Sequence, residues 1–255
     1  MENTHYISSD LLSIETINTI ISNDYKLALS EEAKVNIVKC RSYLDAKMLS
    51  NDEPIYGINT GFGSLCNVKI SDENLSKLQE NLVKSHACGT GDEVPHEVVK
   101  IMLLLKIQSL SYGHSGVQLV TVERLIDFYN NDILPVIYTL GSLGASGDLA
   151  PLAHLSLPLL GEGEVYMDGF RQPASKALQK MGWEPIILQS KEGLALLNGT
   201  QFMSAYGVYT LIKAEKLSYL ADVIGAISLE GFDGRIEPFT DLIHLIRPHK
   251  GQVVT

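Results

Sequence analysis

The chain has 255 residues, 45% of them hydrophobic and 20% charged, an ordinary globular composition. Its 20 basic and 30 acidic residues leave a formal charge of −10, which argues against a general affinity for nucleic acid or anionic lipid. Three cysteines, Cys40, Cys66 and Cys88, fit no disulfide framework and lack CxxC spacing, so a reducing, cytoplasmic setting is expected.

The opening "MENTHYISSDLLSIETINTI" has neither a basic n-region nor a long apolar core, unlike a signal peptide. No stretch approaches the roughly 18 uninterrupted apolar residues of a membrane span. "SEEAKVNIVKCRSYLDAKMLS" predicts a helix with Ser30 as N-cap, Glu31 and Glu32 in its first turn, and Ile37, Leu44 and Met48 at helical spacing. "SDENLSKLQENLVKSHACG" repeats the design, with Leu75, Leu78, Leu82 and then His86 on one stripe. After Pro95, "HEVVKIMLLLKIQSLSYG" is apolar nearly all round, as a helix buried in a bundle is.

"GVQLVTVERLIDFYNND" predicts another helix, ended near Asn131 and Pro135. "GEVYMDGFRQPA" reads as a short hairpin or loop excursion turning at Asp168-Gly169. From about Gly199 to Leu229 an Ala- and Gly-rich segment predicts one long helix. The expected fold is mainly α, a helical body with irregular glycine-rich loops. The sequence stops abruptly after "RPHKGQVVT", and a piece of a longer protein is expected.

The densest run of small residues is "GSLGASGDLAPLAH", Gly141 to His154. Its spacing is G-x-x-G-x-x-G, not the G-x-G-x-x-G of a dinucleotide fold, and no repeated β-α pattern surrounds it. A P-loop needs Gly-Lys-Ser/Thr, and a nucleophile elbow needs a glycine where Asp148 stands. A helix start accounts for Asp148, near its positive end, and for Pro151 in its first turn. It does not account for Ala145-Ser146-Gly147.

Those three residues carry a resemblance: "GSLGASGDLAPLAHL" is similar to the signature of the aromatic amino acid ammonia-lyases, the family of histidine and phenylalanine ammonia-lyases. Three further stretches match in order. "YGINTGFG", Tyr56 to Gly63, resembles the N-terminal active-site loop. "NLVKSHACGTG" resembles a helix end lining the substrate pocket, and "LALLNGTQ" carries the family's asparagine, here Asn198. "RPHKGQ" resembles a segment near the middle of the family's chain.

The resemblance implies an ammonia-lyase-type helical bundle with an active-site-bearing region over about 1–195 and the start of the central bundle over about 196–255. It implies no added cofactor. The Gly147 amide nitrogen attacks the Ala145 carbonyl, two waters leave, and Ser146 supplies the methylidene carbon of a 4-methylidene-imidazol-5-one. A side chain on the attacking residue would clash in so compressed a turn. Tyr56 is then the base, Asn198 stabilises the electrophile, and Asp148 promotes its formation. Ser85, His86 and Gly63 bind substrate.

The implied reaction removes ammonia from an aromatic L-amino acid to give a trans-α,β-unsaturated acid; covalent catalysis splits the hard step. The Ser85-His86 pair resembles histidine ammonia-lyases, whereas phenylalanine-type enzymes carry Phe-Leu and tyrosine-type enzymes His-Leu. L-Histidine giving urocanate is the first choice. A phenylalanine or tyrosine lyase or aminomutase, or a silent helical assembly module, is the alternative. The resemblance further implies a homotetramer, and a missing half that carries an arginine for the substrate carboxylate. His114, His154, His244 and His249 form no metal pattern and stay unassigned, and no metal is expected. Tyr138 and Lys106 stand where the family usually has proline and often has arginine.

Overall fold

Residues 3–50, 53–61, 68–145 and 147–254 are described in a computed structural model of the chain. In chain order, β1 (Thr4–Ile7) and α1 (Ile14–Ser22) precede β2 (Lys26–Leu29) and the long α2 (Glu31–Ser50). Then come α3 (Asp72–His86), β3 (Thr90–Glu93), α4 (His96–Ser111) and α5 (Leu119–Asn130). Two short strands follow, β4 (Leu134–Pro135) and β5 (Tyr138–Leu140), and lead into α6 (Leu149–Ser156). The hairpin β6 (Glu164–Met167) and β7 (Phe170–Pro173) is followed by α7 (Ala174–Met181), α8 (Glu192–Leu197) and α9 (Gln201–Gly231). Two short helices, α10 (Asp241–Ile246) and α11 (Lys250–Val254), come last. The body is mainly α, as expected. The chain divides into two compact units, Met1–Tyr209 and Thr210–Thr255.

The first unit is built around α4. Val98, Met102, Leu103, Leu104 and Ile107 are fully buried, and burial of each such side chain contributes about 1.5–3 kcal/mol. α5 and α2 pack on this helix, with β1 and β4 against it. Ser30 caps α2 as expected, its hydroxyl accepting from the Ala33 N–H at 3.1 Å. The β6–β7 hairpin turns through Asp168 and Gly169, both at positive φ (54° and 79°), the geometry of a type I′ turn. β1 and β2 pair in parallel, and β3 pairs antiparallel with β5, joining the loop after α3 to the approach of the glycine-rich run.

The stripe on α3 differs in detail. Leu75 and Leu82 are buried and Leu78 only partly, while the polar Gln79 is fully buried between them. Its Oε1 accepts from the Gly193 N–H at 2.9 Å, and a Cβ on Gly193 would sit 2.7 Å from the Gln79 carbonyl oxygen. Close approach of α3 to α8 therefore places an amide where a leucine pattern predicts an apolar side chain.

Candidate active site

The chain leaves β5 at Leu140 and enters the small-residue run. Gly144 and Gly147 bridge each other, and Ala145 bridges Gly147, so the backbone on the two sides of the tripeptide is drawn together. Gly147 has φ +94°, and a Cβ there would lie 2.5 Å from the Gly199 carbonyl oxygen. No L side chain fits that position without moving backbone. The next amide, Asp148 N–H, donates to the same Gly199 oxygen at 2.8 Å. Ser146 and Gly63, two of the expected site residues, lie outside the described residues.

Asp148 is buried, 3% exposed, and stands at the N-cap position of α6, with Pro151 in the first turn as expected. Its carboxylate makes no capping hydrogen bond to that helix. It accepts instead from the Met203 N–H at 3.0 Å, in the first turn of α9. Two helix starts converge here, and the carboxylate satisfies the one whose amides it faces.

Asn198 closes α8 as its C-cap, and its side-chain amide donates to the Leu194 carbonyl at 3.0 Å. It does not start α9, which begins at Gln201. The short α8 is fixed at both ends. At its start the carboxylate of Glu192, wholly buried, accepts from the Gln118 and Gln189 backbone amides, the Gln118 side chain and the Thr121 hydroxyl, at 2.6–2.8 Å. At its end the amine of Lys106, 1% exposed, donates to the carbonyls of Ala195 (2.8 Å) and Asn198 (3.1 Å). Burial pushes the Lys106 amine down to about 7.

His86 ends α3. Its Nδ1 lies 2.8 Å from the Leu82 carbonyl oxygen, which can only accept, so Nδ1 carries the hydrogen and the neutral ring offers Nε2 as an acceptor. The exposed Ser85 hydroxyl donates to the same carbonyl at 3.1 Å. His86 lines a cleft of about 270 Å³ with Cys88, Ser142, Ala145, Gly147 and Ala150. His154, unassigned from sequence, holds this wall together. Its Nε2 accepts from the Gly89 N–H at 3.0 Å, and its ring meets the Tyr138 ring edge-on at 5.2 Å. Burial holds its pKa below the usual imidazole value and keeps it a neutral acceptor.

Tyr56 is 57% exposed, on a loop secured by two buried polar side chains. Asn59 accepts from the Ile55 N–H at 2.6 Å and donates to the Glu53 carbonyl at 3.0 Å, and Thr60 Oγ1 accepts from the Gly57 N–H at 3.3 Å. Tyr56 and Asn198 share a second cleft, of about 390 Å³, with Ser109, His114 and Lys191. His86 and the tripeptide turn thus face one cleft and Tyr56 and Asn198 another. Gly199, adjoining Asn198, touches the turn between them. The sequence signal for Lys106, a charge inside an apolar run, was present but did not name a partner, and Glu192, between Lys191 and Gly193, carried no such signal. Among the described residues, no cluster of three His, Cys, Asp or Glu side chains could hold a metal ion, and no helix is long and apolar enough to cross a membrane.

A mainly helical body that folds an Ala-Ser-Gly turn against an Asn-Gly corner, beneath a helix ending in Ser-His, defines a class, and the chain belongs to it: the aromatic amino acid lyase family, whose family model matches residues 12–255. Among particular relatives, the histidine ammonia-lyase of Myxococcus xanthus is 45% identical over 246 residues, 96% of this chain and 48% of that protein. The crystal structure of histidine ammonia-lyase from Trypanosoma cruzi superposes with a TM-score of 0.89 at 35% identity, over 97% of this chain and 48% of that one. The tyrosine aminomutase of Streptomyces globisporus superposes equally well, TM-score 0.89, at 31% identity over 99% of this chain and 47% of that one. The chain spans about half the length of the curated relatives it matches.

Proposed function

We propose that the chain is the tripeptide-bearing part of a cytoplasmic histidine ammonia-lyase that converts L-histidine to trans-urocanate and ammonia. The observation that carries this reading is His86, its Nδ1 hydrogen committed to the Leu82 carbonyl, beside the Ala145–Gly147 turn. A fixed Nε2 acceptor suits the N–H of a substrate imidazole, which is costly to bury without a partner.

The turn suits a ring closed from Ala145, Ser146 and Gly147. Its flanking backbones already bridge, Gly147 has no room for a side chain, and the adjacent Gln201 Oε1 is buried with no hydrogen-bond partner among the described residues. Once formed, that methylidene-imidazolone supplies an uncharged electrophile that makes the substrate's amine a better leaving group. Asp148 holds the turn by tying its own backbone to Gly199 and its carboxylate to Met203, and so promotes closure. Asn198 stabilises the electrophile from the Gly199 side. Tyr56, exposed on its secured loop, takes the β-proton at its phenolic oxygen. Ser85 and Gly63 complete substrate binding.

A homotetramer is part of the reading. The large exposed apolar side chains of Leu217, Ile224, Ile227 and Phe232 support an assembled form. The test is product formation by the full-length protein from L-histidine, L-phenylalanine and L-tyrosine. Urocanate is expected. Cinnamate, coumarate or a β-amino acid in its place would move the assignment to another lyase or to an aminomutase, the activity named for the Streptomyces relative.

A further inference from the structure

Lys106 sits in the middle of α4, between the fully buried Leu103, Leu104 and Ile107, and among the described residues no carboxylate pairs with it. An amine in such a place is costly unless its donors are used. Both of its bonds go to one feature, the carbonyl end of α8, where unsatisfied oxygens and the negative end of the helix dipole favour a cation. A methionine at this position would fill the space and avoid the cost.

The second of those carbonyls belongs to Asn198. From there the covalent chain runs one residue to Gly199, whose oxygen accepts from the Asp148 N–H at 2.8 Å and stands 2.5 Å from where a Cβ on Gly147 would lie. A buried amine on the central helix is therefore connected to the reacting turn through one hydrogen bond, one peptide and one more hydrogen bond. Glu192 anchors the other end of α8, so the Asn198-Gly199 corner is clamped from both sides.

We propose that Lys106 is a positioning residue for ring closure: its amine locks the Asn198-Gly199 backbone, and this holds Gly147 in the conformation from which its nitrogen reaches the Ala145 carbonyl. The role rests on the reading of Ala145-Ser146-Gly147 as a ring precursor. Lys106 touches none of the reacting atoms. It acts before turnover begins, on the formation of the electrophile, so its effect belongs to maturation and not to substrate binding.

The test follows the loss of two waters by intact mass, as a time course after synthesis of the full-length protein, in wild type, Lys106→Met, Lys106→Arg and Leu103→Ala. Removing both hydrogen bonds of the Lys106 amine is expected to slow closure about tenfold or more in Lys106→Met. Lys106→Arg, which keeps the donors, is expected to close within about threefold of wild type. Leu103→Ala lowers Tm through a cavity but is expected to close at the wild-type rate. If Lys106→Met does not fold, Lys106→Gln takes its place with the same expectation. Closure at the wild-type rate in the folded Lys106 variant overturns the proposal, as does equal slowing in Leu103→Ala, which makes the effect one of stability. A wild-type protein that never loses two waters overturns the ring itself, and with it the reading beneath this one.

Discussion

At Gly147 two independent constraints meet, a φ of +94° and a Cβ position 2.5 Å from the Gly199 oxygen. Gly147→Ala should therefore lower stability by about 1–3 kcal/mol and block ring closure, read as a fall in Tm together with an intact mass that keeps both waters. A variant that closes normally would remove the steric argument. The neighbouring His154 makes a prediction about pH. Its folded pKa lies below the ordinary value of 6.5, so folding favours the neutral ring, and the stability it contributes is present above that value. That stability is lost as pH falls below 6.5, when a protonated Nε2 can no longer accept from Gly89. His154→Gln should flatten the acid limb of a Tm-against-pH curve, and an unchanged limb would mean another group titrates there. The sequence shows the glycines and histidines at this scale but not their partners. Asp148 is legible as a helix-start residue. That it serves α9 in place of α6 depends on two elements far apart in the chain meeting at one corner, which no local pattern encodes.

Elements with strong periodicity were legible: α2, the all-round apolar α4, α5, the β6–β7 hairpin and the long α9 all lie where hydrophobic spacing and turn residues put them. The β1–β2 pair was not, because parallel strands separated by a helix are joined by non-local hydrogen bonds. Nor was α8, six residues long, whose existence depends on a buried carboxylate and a buried amine and not on its own propensity. Glu192→Gln tests this dependence. Each carboxylate oxygen accepts from two of the four donors, so the amide nitrogen would face two of them, costing about 2–4 kcal/mol, and would loosen the Asn198-Gly199 corner as well. The expected result is a lower Tm accompanied by slower ring closure. A Tm loss with unaltered closure would show that α8 can shift without disturbing the turn.

On the scale of the whole molecule, ring closure and turnover draw on different amounts of chain. Every residue assigned to closure, from Lys106 and Ala145 through Asp148 to Asn198, Gly199 and Met203, lies within the unit Met1–Tyr209. That unit contains the apolar cluster around α4 and the hydrogen bonds that clamp both ends of α8. As proposed, closure draws on the backbone of Ala145 and Gly147 and the side chain of Ser146, neighbouring residues held in one conformation. As proposed, turnover asks for more: among the described residues lining the cleft beside His86 there is no arginine or lysine to meet a substrate carboxylate, and Tyr56 opens onto a different cleft. The chain spans about half the length of the curated relatives it matches. The 255-residue chain is therefore expected to lose two waters yet form urocanate at least about 100-fold more slowly than the full-length protein, the scale of a lost orienting contact. Intact mass and a urocanate assay on the same two preparations decide it. Equal rates would mean that the carboxylate is held by residues within these 255. An unmodified mass in the short chain alone would mean that closure, too, needs the remainder of the protein to compress the turn.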